Sequence, residues 1–141
     1  MKTISSSEKD TYIAGKRLGS TLSGGYVVLL SGELGAGKTV FTKGIASALG
    51  VKDAVLSPTF TIMNEYDGDR CRLCHFDAYR LSSGEEAVES GITDDIGAKD
   101  VVCVIEWHEN IADILPREKV KKVFIKYVGE NEREIEISDD E

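Results

Sequence analysis

The sequence lacks the features that would place it in a membrane or make it depend on disulfide bonds. No apolar run approaches the roughly 18–20 residues of a membrane-spanning helix. The N-terminal segment Met1 to Asp10 is rich in serine and charge and has no apolar stretch of the kind found in signal peptides. We therefore expect a cytoplasmic protein that makes no contact with a membrane.

Cysteine is scarce, with three residues in the chain, which is an odd number for a disulfide framework. Two of them, Cys71 and Cys74, form a C-x-x-C segment, but no second pair is present to complete a tetrahedral zinc site. The segment has the pattern of a strand, in which residues three positions apart point to opposite faces. We interpret the cysteines as structural, and a redox pair or a metal site remain as alternatives.

Positive charge is also scarce for a protein that would bind nucleic acid by itself. The net charge is −8, of which Glu130 to Glu141 contribute −6 and the rest of the chain −2. Binding to nucleic acid depends on many contacts between Lys or Arg and phosphate, and the only basic cluster is Lys119, Lys121 and Lys122. This balance argues against direct binding of nucleic acid, and we interpret the acidic end from about residue 130 as solvated.

A glycine-rich segment between an apolar strand and a helix matches the phosphate-binding pattern G-x-x-x-x-G-K-[ST] in full. Its glycines let the loop curl so that backbone N–H groups point at phosphate oxygens, and the following helix adds its positive N-terminal end. The lysine reaches the β- and γ-phosphates, and the threonine hydroxyl binds Mg²⁺. The predicted P-loop consists of Gly32, Glu33, Leu34, Gly35, Ala36, Gly37, Lys38 and Thr39.

Two acidic residues are candidates for the carboxylate with which a P-loop enzyme holds Mg²⁺ or orients water. Glu106 follows the apolar strand 101–105, and Asp77 finishes another strand that contains apolar residues. Because both acids end strands, we expect them at the same edge of the sheet as the P-loop, on the Mg²⁺ side of the nucleotide. Either one could bind the metal ion, in which case the other would orient water.

Hydrophobic patterning and turn signals predict an α/β fold in one domain, residues 1–141, which is an ordinary domain length. We expect a single P-loop NTPase-like domain with three layers and a mixed sheet, in which antiparallel hairpins are added to parallel strands. Helices are predicted after Ser7, over 39–49, after Ser83 and over 110–115. Strands are predicted over 26–30, 60–66, 70–79, 101–105, 123–128 and 134–137.

Five further segments accompany the P-loop, namely Phe41-Thr42-Lys43-Gly44, Ser57-Pro58-Thr59-Phe60, the run from His75 to Leu81, Glu85-Glu86 and Ile105-Glu106-Trp107. In this order and spacing, residues 8–128 closely resemble the TsaE (YjeE) family. That family contains the small bacterial ATPases of tRNA threonylcarbamoyladenosine biosynthesis. Any one segment other than the P-loop would be a weak signal, but the combination is specific.

The resemblance implies a protein that binds ATP and Mg²⁺, hydrolyses ATP slowly alone, and acts with the TsaB and TsaD proteins. That assembly transfers a threonylcarbamoyl group to N6 of the adenosine next to the anticodon in tRNAs reading ANN codons. TsaD carries the transfer chemistry, and the TsaE-like subunit supplies an ATP-driven step. The chain would therefore reach tRNA indirectly, through the complex.

The resemblance also implies roles for individual residues of this chain. Lys38 would bind phosphate and act in catalysis, and Thr39 would bind Mg²⁺. Asp77 and Glu106 match the acidic catalytic and metal positions, and Thr59 lies in a loop that behaves like a nucleotide-sensing switch. Besides the P-loop, the implied nucleotide contacts are Val40, Thr42, Thr59 and Trp107.

Three other classes of P-loop protein remain as alternatives. A GTP-dependent switch is suggested by the D-x-x-G segment from Asp94 to Gly97, but the chain has no N-K-x-D element to read guanine. A small-molecule kinase would need basic residues over the transferred phosphate, and no arginine-rich segment follows the P-loop helix. A module that senses nucleotide without hydrolysing it is the third alternative.

Overall fold

The computed structural model describes residues 1–32, 36–55, 63–77, 92–106, 109, 111, 114–116 and 118–139. The strands of this part are β1 (Lys2–Ser5), β2 (Val27–Gly32), β3 (Met63–Tyr66), β4 (Arg72–Asp77), β5 (Val101–Glu106), β6 (Val120–Tyr127) and β7 (Arg133–Asp139). The helices are α1 (Glu8–Thr21) and α2 (Lys38–Ala48), with a 3-10 turn at Ile92–Asp95. Outside the described residues lie the predicted helix after Ser83, residues 60–62 and 78–79 of two predicted strands, and residues 110, 112 and 113 of the predicted helix 110–115.

All these strands form one seven-stranded sheet in the order β1-β7-β6-β2-β5-β4-β3. The centre is parallel, because β2 pairs in parallel with β5 and β6, and β4 pairs in parallel with β5. The outer pairs β3–β4, β6–β7 and β1–β7 are antiparallel. The predicted mixed sheet, with hairpins added to a parallel core, is therefore confirmed.

Each face of the sheet carries its own hydrophobic cluster. Both helices pack on one face, where Leu18 of α1 and Phe41 and Ile45 of α2 meet alternate residues of the central strands such as Val104. We call this the helix face. The opposite face is covered in the described part by irregular segments that include Ile96, Ile111 and Leu115. The P-loop follows β2 and leads into α2, so it lies at the edge where the helix face meets the ends of the parallel strands.

The two helices approach each other so closely that their contact requires glycine. A Cβ atom on Gly15 would collide with the carbonyl oxygen of Phe41, and one on Gly44 would collide with that of Tyr12. α1 begins at the predicted cap, where the Ser7 side chain accepts a hydrogen bond from the Asp10 N–H. α2, whose first residue is the P-loop lysine, is thus held at backbone distance from α1.

Residues 133–139 of the acidic end form strand β7, which confirms the strand predicted over 134–137 and corrects the interpretation of this end as solvated. β7 pairs with β6 on one side and with β1, a strand that sequence reasoning missed, on the other. Ile135 points into the core and is fully buried. Its neighbour Glu134 lies within 4.0 Å of the ammonium groups of Lys2 and Lys126. The alternation of acidic and β-branched residues fits a strand with one buried face.

No helix in the described part of the chain is long and apolar enough to cross a membrane.

The close contact between α1 and α2 predicts that Gly44→Ala destabilises the protein. Alanine has a higher helix propensity than glycine, so the variant would be more stable than the unmodified protein if its added Cβ met no other atom. We expect the free energy of unfolding to fall by about 1–3 kcal/mol, as in overpacked cores, when measured by urea denaturation. Gly129→Ala is the matched control, because the nearest atom to its added Cβ lies at 3.8 Å, and it should change stability by less than about 1 kcal/mol. Equal effects in both variants would contradict the prediction.

Candidate functional site

The two outer glycines of the P-loop are required for different geometric reasons. Gly37 directly precedes α2 and has a left-handed backbone with φ of 104° and ψ of 22°, a conformation that side chains rarely allow. Gly32 ends β2, and a Cβ there would collide with the carbonyl oxygen of Ile125 on the neighbouring strand β6. The sheet and the start of α2 thus place both ends of the loop in the arrangement that a phosphate cradle needs.

The first turn of α2 presents the residues that sequence reasoning assigned to phosphate and metal. Lys38, Thr39 and Val40 lie at this end of the helix and are neither fully exposed nor fully buried. Thr42 lies one turn further on and is fully buried, with its hydroxyl donating to the Lys38 carbonyl oxygen at 2.9 Å. Ala36 is buried in the core of the helix face. Thr42 therefore supports the backbone of Lys38, and its predicted nucleotide contact stays a prediction.

The structure brings the two predicted acids together at one edge of the sheet. Asp77 and Glu106 are the last residues of β4 and β5, and they are partners in the register of this parallel pair. Glu106 is likewise the register partner of Leu30 in β2, the strand that leads into the P-loop. Neighbouring strands lie about 4.8 Å apart, so Glu106 stands between the P-loop strand and Asp77.

Glu106 is the centre of a buried polar contact between three elements. Its Oε1 lies 3.6 Å from Nζ of Lys38 at the start of α2. Its Oε2 lies 2.6 Å from Nε2 of His75 in β4. Glu106 is 7% exposed and His75 is fully buried. A carboxylate this deep needs compensation by hydrogen bonds and opposite charge, and these two side chains supply it.

The surroundings of Glu106 act on its pKa in opposite directions. Burial raises the pKa, whereas the hydrogen bond and charge from His75 and the ammonium group of Lys38 lower it. The lowering effects prevail, so the pKa of Glu106 lies below its ordinary value of 4.5. Glu106 is therefore an ionised acceptor at neutral pH, as a ligand for Mg²⁺ or an acceptor for water must be.

Sequence reasoning missed two residues at this site. One is His75, whose position could have signalled its role, because a histidine two positions before a candidate acid on the same strand must share its face. The other is Arg133, the first residue of β7, whose Nε lies 3.9 Å from the position of a Cβ on Gly37. Its guanidinium group lies 5.0 Å from the ring centroid of Tyr127. Only the pairing of β7 with β6 brings this cation to the P-loop.

Five predicted nucleotide contacts lie outside the described residues, namely Glu33, Leu34, Gly35, Thr59 and Trp107. Their roles stay predictions.

The C-x-x-C cysteines do not form a pair. Cys71 packs against the core of the helix face, whereas Cys74 is buried in the core of the opposite face. Hydrogen bonding with Cys103 and burial both raise the pKa of the Cys74 thiol, which keeps it protonated. Ligand atoms of Cys74, Glu65 and Asp95 lie within 4.8 Å of one another, but Asp95 forms an ion pair with Arg72. These observations support the structural interpretation of the cysteines.

The D-x-x-G segment lies away from the phosphate loop. Asp94 and Asp95 belong to the 3-10 turn, and Ile96 packs into the core of the face opposite the helices. Glu106 and the start of α2 lie on the helix face, so the segment is not placed to sense a γ-phosphate there. This position argues against the GTP-switch alternative.

The parallel centre, the loop between β2 and α2 and the acids on neighbouring strands are those of an α/β domain of the P-loop type. Comparison with known proteins narrows the class. The family described as "Threonylcarbamoyl adenosine biosynthesis protein TsaE" matches residues 5–135. The chain belongs to the TsaE family, whose members take part in tRNA threonylcarbamoyladenosine biosynthesis.

Individual relatives are similar over most of their length. The chain is 41% identical over 143 residues to the TsaE protein of Treponema pallidum, covering 98% of this chain and 100% of that one. It is 44% identical over 111 residues to the TsaE protein of Bacillus subtilis, covering 79% and 68%. The crystal structure of Bacillus subtilis YdiB superposes with a TM-score of 0.83 at 34% identity, covering 100% of this chain and 86% of that one.

The lowered pKa of Glu106 predicts a specific dependence of stability on pH. An acid whose pKa is lowered by folding stabilises the fold at pH values above the pKa that it has in the unfolded chain. This contribution disappears as the pH falls through the pKa of the folded protein. We expect Glu106→Gln to lower the free energy of unfolding by about 1–3 kcal/mol at pH 7. The difference from the unmodified protein should shrink as pH falls below 4.5. Denaturant unfolding at several pH values measures both variants.

Glu130→Gln provides the control for this measurement, because Glu130 is exposed in the turn between β6 and β7. Its difference from the unmodified protein should stay close to zero at every pH. A Glu106→Gln difference that grows as the solution becomes more acidic would contradict the expected sign.

Proposed function

We propose that this chain is the ATP-binding and ATP-hydrolysing subunit of a threonylcarbamoyl-transferring assembly. It acts with TsaB and TsaD proteins in the cytoplasm to form the threonylcarbamoyl group on N6 of the adenosine next to the anticodon in tRNAs reading ANN codons. The observation that carries the proposal is the contact between Lys38 and Glu106 at 3.6 Å, in which the lysine belongs to a segment that matches the P-loop pattern in full. Family membership supplies the pathway.

The described residues offer the groups that hydrolysis of ATP requires. Lys38 and the N-terminal end of α2 attract the phosphates. Thr39, Asp77 and Glu106 provide the oxygen ligands that Mg²⁺ prefers, at the end of one helix and of two adjacent strands. When bound, Mg²⁺ neutralises charge on the β- and γ-phosphates. Of the two acids, Glu106 has one oxygen engaged by His75, which leaves the other facing the phosphate side.

The ion pair between Lys38 and Glu106 supports a low basal rate. With both side chains about nine-tenths buried, the ammonium group already has a partner before phosphate arrives. ATP must compete with Glu106 for Lys38, because in the free chain the charge of Lys38 is already neutralised by Glu106 before ATP binds. A partner surface that favours the separated arrangement would stimulate hydrolysis.

We expect Lys38→Ala to abolish hydrolysis of ATP and to weaken ATP binding at least tenfold. The variant removes the charge that faces the β- and γ-phosphates and leaves Glu106 without its ammonium partner. Isothermal calorimetry with ATP and Mg²⁺ measures affinity, and release of phosphate measures turnover.

Lys43→Ala is the matched control, since Lys43 is an exposed lysine on the same helix α2. Its ATP affinity and turnover should stay within about twofold of the unmodified protein, as expected for surface substitutions. Unchanged affinity and turnover in Lys38→Ala would exclude the proposed nucleotide site.

The charge distribution supports action through partners rather than direct binding of tRNA. The net charge of −8 creates a long-range field that repels a polyanion. Lys121 and Lys122 lie on β6, but a few lysines give only a weak contact that salt abolishes. A P-loop with two nucleotide-dependent arrangements provides states that a protein surface can read.

We expect ATP to strengthen association with TsaB and TsaD proteins, and this association to stimulate hydrolysis. Isolated tRNA should bind only weakly at about 150 mM salt. A pull-down with the purified partners, with and without ATP, is compared with a tRNA binding assay at that salt concentration. Lys38→Ala should lose the ATP dependence of partner capture, whereas Lys43→Ala should keep it. Tight tRNA binding by the chain alone, without nucleotide-sensitive capture of partners, would contradict the proposal.

A further inference from the structure

His75 occupies the floor of the candidate site, between the sheet and the Glu106 carboxylate. It lies on β4 two residues before Asp77, and its register partner on β5 is Val104, two residues before Glu106. The ring therefore approaches the carboxylate from inside the core, diagonally across the two strands. The open side of Glu106, toward Lys38, is left to the nucleotide.

The contact shows which atom donates the hydrogen bond. Nε2 lies 2.6 Å from Oε2 of Glu106, and an ionised carboxylate can only accept a hydrogen bond. Nε2–H is therefore the donor. A hydrogen bond of this length to a carboxylate is charge-assisted and belongs to the stronger class of protein hydrogen bonds.

The other ring nitrogen, Nδ1, indicates that His75 acts as a polar residue through its hydrogen bond to Glu106. Nδ1 is buried and has no hydrogen-bond partner among the residues that the structure describes. A buried polar atom without a partner opposes stability, and an apolar side chain of similar size would avoid that penalty. Core packing alone therefore does not explain a histidine at this position.

We propose that His75 is a positioning residue for Glu106, whose Nε2–H holds Oε2 and thereby directs Oε1 toward the phosphate loop. The inference rests on the proposed ATPase function. Without this hydrogen bond, the carboxylate is free to rotate and to offer both oxygens to Lys38. That rotation would misdirect the oxygen that faces Mg²⁺ or water, whereas Lys38 is paired with Glu106 in either arrangement. Groups that orient a functional ligand in this way commonly contribute 10–100-fold in activity.

Two substitutions separate hydrogen-bond donation from packing. In His75→Gln, the side-chain amide nitrogen takes a place close to that of Nε2 and can donate to Glu106. In His75→Asn, the shorter amide lies close to the place of Nδ1 and cannot reach Oε2.

We expect His75→Asn to lower kcat for MgATP about 10–100-fold with KM changed less than about threefold, because the contact acts mainly in the transition state. His75→Gln should restore kcat to within about fivefold of the unmodified protein. Both variants are assayed with the TsaB and TsaD proteins.

Leu73→Ala is the control for loss of packing. Leu73 is fully buried on the same strand and face but has no contact with Glu106 among those described. It should lower the melting temperature at least as much as His75→Asn while leaving kcat within about threefold. A double variant tests the pathway: once Glu106→Gln is present, adding His75→Asn should cause no further loss of kcat.

The outcomes distinguish this inference from the function on which it rests. If the unmodified assembly does not hydrolyse ATP, the proposed function fails and the inference fails with it. If the assembly is active but His75→Asn and His75→Gln lose kcat equally, or Leu73→Ala matches them, His75 is only a packing residue. If His75→Asn does not fold, His75→Gln still decides, because a loss of kcat beyond about fivefold in this variant, which keeps the donor to Glu106, would overturn the inference.

Discussion

The buried Glu106 carboxylate is the constraint to which the arrangement of the site responds. A charge that is 7% exposed is unfavourable unless oppositely charged and hydrogen-bonding groups surround it. Lys38 comes from the start of α2 and His75 from β4, so the contact ties a helix and two strands together. The register between β4 and β5 and the place where α2 begins must both be correct for this carboxylate to be compensated.

The rest of the fold holds those elements in place by shape. Glycines at the α1–α2 contact let the helices touch through their backbones, which fixes α2 over the sheet. Gly32 lets β2 run against β6 up to the first residue of the P-loop. Stiff packing of this kind keeps Lys38 within reach of Glu106.

Much of the site follows from local sequence rules. The P-loop pattern, the apolar run before it and the helix after it predicted where Gly37 and Lys38 lie, because local backbone geometry and a helix N-terminus define that motif. The positions of Asp77 and Glu106 at strand ends predicted a shared edge, and the parallel register confirms it. The family resemblance is confirmed by the match over residues 5–135.

Sequence alone determined the class of protein and the position of the P-loop, since both depend on the order and periodicity of neighbouring residues. Only the tertiary structure decided which distant groups meet. The sequence predicted the neighbouring strands β6 and β7, but β7 lies inside the sheet because β1 pairs with its other edge, and a short strand carries no local signal of a partner far along the chain. Strand pairing likewise placed His75 and Arg133 at the site. Their contacts, with Glu106 and beside Gly37, depend on strand order and register, which pairing across the whole sheet fixes.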